Sequence, residues 1–146
     1  MEQEQTIHIF GNEYPKKVIP LVREAKKNIE IIVYSWRWYY DDMASPVMIF
    51  NQAILEKANR GIPVRAITQD KSIIPILKKS KVRVLEKKIE KVIHAKLLLI
   101  DDRITILGSH NFTKRAFESN LELSNIHFDE AFTKNYKDFF ENLWRN

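Results

Sequence analysis

The stretch from His94 to Asn111 reads His-Ala-Lys-Leu-Leu-Leu-Ile-Asp-Asp-Arg-Ile-Thr-Ile-Leu-Gly-Ser-His-Asn and gathers an imidazole, an ammonium, a hydroxyl and a carboxamide in one short block. Its apolar runs predict strands over 93–100 and 103–107 joined by a turn. Side chains alternate along a strand, so His94 and Lys96 share one face, and Ser109 and Asn111 share another just beyond the second strand. Asp101 has the opposite parity to the first pair and reads as a structural residue at the strand end, while Gly108 lets the backbone come close to the site. Glu122, on a further strand predicted over 121–126, could accept a hydrogen bond from an imidazole N–H and fix its tautomer. Such a pocket offers a nucleophile or proton carrier, together with donors that stabilise anionic charge without a metal ion. A metal site built from His94, Asp101, His110 and Glu122 is disfavoured, because strand parity scatters the four. His110 also has the wrong parity relative to Ser109 and Asn111, and His8 and His127 lie outside the block.

The spacing is H-x-K-x4-D, then G-S-x-N after six residues, with Asn120 and Glu122 forming N-x-E downstream. In these residues the chain resembles the phospholipase D superfamily, and over nearly its whole length it is most similar to the small single-motif endonucleases of that superfamily. The resemblance implies a metal-independent phosphodiesterase with no cofactor. In that reading His94 attacks phosphorus as a neutral imidazole to form a phosphohistidine, which suits a substrate whose charge repels anionic nucleophiles. Lys96, Ser109 and Asn111 would hold the phosphoryl oxygens, Glu122 would support the imidazole, and Asp101, Gly108 and Asn120 would be structural members of the motif. The leaving oxygen needs a proton from a second histidine. One motif supplies one such histidine, so the resemblance implies a homodimer with a composite site on its twofold axis. The expected partner is nucleic acid, DNA ahead of RNA. The alternatives are a hydrolase of phosphatidyl or cardiolipin phosphodiesters, and a non-catalytic nucleic-acid-binding module of a larger assembly.

The elements that must position this block alternate at first. Ile7 to Phe10 predicts a strand, Val18, Leu21, Val22 and Ala25 a helix from Pro15, and Ile29 to Tyr34 a β-branched strand. Val47, Phe50, Ile54 and Ala58 mark a second helix ended by Gly61. A strand over 62–67, a short helix over 71–79 and a strand over 82–85 follow. The last helix carries Phe132, Tyr136, Phe139, Phe140 and Leu143 on one face. The expected class is α/β, a mixed, largely parallel sheet with helices on both faces, in a single catalytic domain over 1–146. Trp36, Arg37 and Trp38 follow a strand at the end where open α/β sheets bind ligands, so they are candidate substrate contacts, with core or dimer packing as the competing use of the rings. The stretch 78–96 holds eight Lys or Arg against Glu86 and Glu90, a pattern suited to phosphate contact.

Composition sets the outer bounds. Among 146 residues, 45% hydrophobic and 29% charged are globular proportions, and 24 Lys and Arg against 19 Asp and Glu give +5, a bias toward polyanionic partners. The absence of cysteine removes disulfides, thiolate metal sites and cysteine nucleophiles. The N-terminal Met-Glu-Gln-Glu-Gln-Thr lacks the basic start and apolar run of a secretory signal, and no apolar run approaches the length of a membrane span. A cytoplasmic protein without stable membrane association is the expectation.

Overall fold

A computed structural model describes residues 5–146; the first four, part of the N-terminal run considered above, lie outside the described residues. The elements run β1 (Gln5–Phe10), α1 (Glu13–Arg23), β2 (Ile29–Val33), α2 (Pro46–Asn59), β3 (Val64–Thr68), α3 (Ile74–Lys79) and β4 (Arg83–Val84), then β5 (Leu97–Ile100), β6 (Ile104–Gly108), α4 (Lys114–Glu118), β7 (Leu123–Phe128) and α5 (Glu130–Arg145). The strands form one seven-stranded sheet in the order β1-β7-β6-β5-β2-β3-β4. The α/β class and the mixed sheet hold, but the expected dominance of parallel pairing does not. Only β2-β3 and β3-β4 are parallel, while β1-β7, β7-β6, β6-β5 and β5-β2 are antiparallel. The cause is local. Asp101 and Asp102 adopt φ of 58° and 56°, and the Arg103 N–H donates to the Ile100 carbonyl, so a tight reversal replaces a crossover between β5 and β6.

Both faces of the sheet are covered. Ile29, Ile31 and Val33 of β2 join Leu98 and Ile100 of β5 in the larger core, together with Val18 and Val22 of α1, Phe50 and Ile54 of α2 and Phe117 of α4. The intervening Ile32, Leu97 and Leu99 face the other way and pack with Phe140 of α5. That second face also carries Glu30, 1% exposed, whose carboxylate pairs with Lys137 at 2.8 Å and Arg65 at 3.8 Å. Lys137 extends the network to Asp102 at 2.9 Å and so ties α5 to the β5–β6 turn. Burial opposes ionisation of Asp102, but its bonds with Lys137, Lys27 and Asn28 outweigh it and hold the carboxyl down to about 2. The α5 stripe is narrower than its periodicity suggests. Phe139 is exposed, because one aromatic layer against the sheet is filled by Phe140 and its stacked neighbour Trp144.

Register explains why the chemistry collects at one end of the sheet. The carboxyl ends of β1, β2, β3, β4 and β6 and the amino ends of β5 and β7 lie along the same edge, since Ile32 pairs with Leu97, Leu97 with Leu107, Gly108 with Ser124 and Phe10 with Leu123. Parallel pairing gives way to antiparallel between β2 and β5, the kind of switch point where open sheets form clefts.

Candidate active site

His94 and Lys96 stand just before β5 rather than within a strand over 93–100. Residues 85–96 contain no helix or strand, and the ladder reaches back only to a long Gly108 N–H bond to the Lys96 carbonyl at 3.4 Å. The two side chains nonetheless meet: Lys96 Nζ lies 3.2 Å from His94 Nδ1 and 3.3 Å from Nε2, so the ammonium can donate to whichever ring nitrogen carries no proton. His94 is exposed, whereas Lys96 is 8% exposed, and burial lowers the lysine's pKa against the opposing pull of Glu122.

Asn111 follows β6 and is oriented by β2. Its Oδ1 accepts from the Ser35 N–H at 3.0 Å, which leaves its Nδ2 hydrogens as the outward donors. Gly108 makes this edge possible: a Cβ there would collide with Ser124 and the Leu123 carbonyl. Ser109 is exposed but engaged. Its Oγ donates to Glu122 Oε1 at 2.5 Å and accepts from the Leu123 N–H at 3.0 Å. Asn120 Nδ2 donates to the other carboxylate oxygen at 3.1 Å. The carboxylate expected against an imidazole is therefore held within the chain by Ser109 and Asn120, and the single Ser109 proton is committed to it. Asp101 has a different kind of task. Its carboxylate accepts from the backbone N–H groups of Lys26, Lys27 and Asn28, which pins the β5–β6 turn to the start of β2 at the opposite end of the sheet.

The aromatic segment is corrected at one position. Trp36 is 1% exposed, with its indole N–H on Asn51 Oδ1 at 2.8 Å and its ring edge-on to Phe112, so it is a core residue and cannot stack on a ligand. Arg37 is exposed beside Asp70, Nε to Oδ2 3.5 Å, and Trp38 is half-buried against the exposed Tyr40. The ring that does approach the site stands at the end of the β-branched run over 29–34. Tyr34, exposed just past β2, has its ring centroid 6.1 Å from that of His94. The β2–β5 pairing would have indicated it, because Ile32 opposite Leu97 carries Tyr34 alongside Ala95.

The remaining histidine of the block is locked in the core. His110 is 1% exposed under the Tyr14 ring; Nε2 donates to the Gly11 carbonyl at 2.8 Å and Nδ1 accepts from Ser124 Oγ at 2.7 Å. These partners select the neutral tautomer, and burial lowers the pKa below the ordinary value of about 6.5. The unfolded chain then takes up this proton first as pH falls, so the stability is complete above the ordinary histidine range and is lost on going below it. The urea midpoint should therefore be lower at about pH 5 than at about pH 7.5, and the drop should shrink in His110→Gln. An unchanged drop in that variant would remove His110 as a source, leaving His127, which burial and His8 also lower.

Among the described residues no cluster of three or more His, Cys, Asp or Glu could hold a metal ion, and no helix is long and apolar enough to cross a membrane. Residues 18–144 match the family described as the cardiolipin synthase, PLD-like domain. The fold is that of NucT from Helicobacter pylori, 25% identical with a TM-score of 0.77 over 96% of this chain and 95% of that one. It is also that of Nuc from Salmonella typhimurium, a phospholipase D family member, at 17% identity and a TM-score of 0.81 over 98% and 95% of the two chains; this second likeness is one of fold. Among curated sequences, the mitochondrial cardiolipin hydrolase of Xenopus tropicalis is 27% identical over 88% of this chain and 60% of its own length. The chain spans between 30% and 60% of the first curated relatives it matches.

Proposed function

The chain belongs to the phospholipase D-like family, and on that premise we propose that it is a metal-independent phosphodiesterase acting on nucleic acid, with His94 as the nucleophile. The observation that carries the reading is the exposed His94 imidazole with the Lys96 ammonium 3.2 Å from its ring, at the end of a segment bearing exposed Lys87, Lys88 and Lys91. His94 forms a bond to phosphorus as the leaving P–O bond breaks, and the leaving oxygen takes a proton from an imidazolium on the opposite side. Lys96 and the Asn111 amide donate to the phosphoryl oxygens as charge develops, an electrostatic stabilisation that needs no metal. Water then attacks the phosphohistidine, giving its proton to the second imidazole and returning His94.

The second imidazole is His94 of a second copy of the chain. The exposed apolar side chains of Phe10, Leu121 and Leu123 flank Glu122 at this same end of the sheet, a surface suited to a second copy whose docking would complete the site. DNA stands ahead of RNA as substrate, and the setting is cytoplasmic. The cardiolipin hydrolase likeness supports a second reading, in which the same residues cut a phosphatidyl ester.

One experiment separates these readings. Labelled single- and double-stranded DNA, RNA and cardiolipin vesicles are incubated with the protein in excess EDTA. Nucleic acids should be cut at undiminished rate, since the Lys96 ammonium and the Asn111 amide stabilise the charge that a divalent ion stabilises elsewhere. Complete loss on chelation, restored by one metal, would overturn the metal-independent mechanism, and turnover of vesicles alone would transfer the substrate assignment to lipid.

A further inference from the structure

His94 sits in a segment with little structure of its own. From residue 86 to residue 95 no backbone group of the described residues hydrogen-bonds to another backbone group. One side chain takes their place. Gln69, the first residue past β3 at the site end of the sheet, donates from Nε2 to the Ile89 carbonyl at 3.2 Å and the Lys91 carbonyl at 2.8 Å, and its Oε1 accepts from the Ile93 N–H at 2.8 Å. No other described side chain bonds to the backbone of this segment. The three contacts fix the amide's orientation, because a flipped Gln69 would set its oxygen against two carbonyls and its NH2 against an N–H. The side chain of Ile93 is itself buried, against the sheet face that holds Phe140. The residue before His94 is thus held by its side chain on one side and by Gln69 on the other, while the His94 ring lies beside Lys96 and has the Tyr34 ring centroid 6.1 Å away.

We infer that Gln69 is a positioning residue for the nucleophile: it clamps 89–93 against the end of β3 and so sets where the His94 imidazole stands relative to Lys96 and Asn111. The inference rests on His94 being the nucleophile. An attacking nitrogen must lie within a few tenths of an ångström of its line of approach, and a misplacement of about 1 Å costs about 100-fold in rate. Free backbone groups also cost stability, but Gln69 is only half-buried, and water can replace its bonds in the open state of the segment.

The test uses Gln69→Ala and Gln69→Glu beside His94→Ala in the full chain. Glu keeps the length and the acceptor for the Ile93 N–H but turns a carboxylate oxygen toward the two carbonyls, so it breaks the bonds to Ile89 and Lys91 with the least change in packing. Both Gln69 variants should lose about tenfold to 100-fold in kcat while KM and equilibrium binding of labelled DNA stay within about twofold, and in Gln69→Ala, which also removes the acceptor of the Ile93 N–H, that amide should exchange faster with solvent. A merely structural residue would lower the urea midpoint and leave the kcat of the folded fraction alone. The inference is overturned if kcat in Gln69→Glu is within about twofold of wild type, or if the Ile93 amide in Gln69→Ala stays as protected as before. Failure of the parent reading looks different, since His94→Ala would then cut at the wild-type rate; that result removes Gln69 from catalysis even where the amide shows a clamp.

Discussion

His94→Ala should lower the rate of phosphodiester cleavage by about 10⁴-fold or more, equivalent to at least about 5 kcal/mol of transition-state stabilisation. The size follows from the double use of one residue. In a two-copy site the substitution deletes the nucleophile and the acid together, and neither Lys96 nor Asn111 can replace a lone pair on an unprotonated ring nitrogen. The fold should hardly notice. His94 is exposed, lies outside any strand, and has the Lys96 ammonium and the Tyr34 ring beside it, so its truncation should fall within the ±0.5 kcal/mol or so typical of surface positions. Single-turnover rates in EDTA measure the loss, an acid-labile, base-stable phosphoryl adduct on wild type identifies the intermediate, and urea midpoints check the fold. A purified, folded His94→Ala that retains the wild-type rate would end the nucleophile assignment.

The block to which this chemistry is assigned was legible because its identities are fixed in sequence and its neighbours are strands with clear apolar runs. His94 and Lys96 do meet, but not by strand alternation: the segment before Leu97 leaves the sheet and is bonded by Gln69, just past β3, a long-range contact with no trace in the local pattern. Burial within the aromatic run was equally invisible. Trp36 and Trp38 read alike, and the partners that hold Trp36 in the core, Asn51 of α2 on its indole N–H and Phe112 against its ring, are distant in sequence. The same limit hid Glu30, which sits inside an apolar run and is tolerated because Lys137 and Arg65 arrive from distant elements. Helix α4 is a single turn of five residues, too short for periodicity, and is marked chiefly by Thr113 accepting from the Ala116 N–H. Glu122 and Asp101 show the converse: both identities were plain, while their partners, Ser109 and Asn120 in one case and three backbone amides in the other, depended on which chain ends the fold brings together.

A dimer carrying one intact and one His94→Ala chain should be inactive, a result that follows from counting imidazoles. Attack and leaving-group protonation need two, on opposite sides of phosphorus, and each described chain presents one. His110 has both nitrogens bound in the core, and His8 and His127 lie within the β1–β7 pair, the latter held by Asn125 and stacked on Phe132 at 4.0 Å. If wild-type and variant chains are co-expressed equally and pair at random, about one quarter of dimers keep both imidazoles, so activity per dimer should fall to about one quarter, whereas independent sites give about one half. Initial rate is measured against wild-type fraction, with chain ratios checked by mass spectrometry and random pairing by differential tags. A quadratic curve requires the shared site. A straight line through the origin would mean that each chain holds its own proton donor, and with His110 locked between Gly11 and Ser124 that donor would have to be something other than a histidine of the motif, so the composite site itself would be gone.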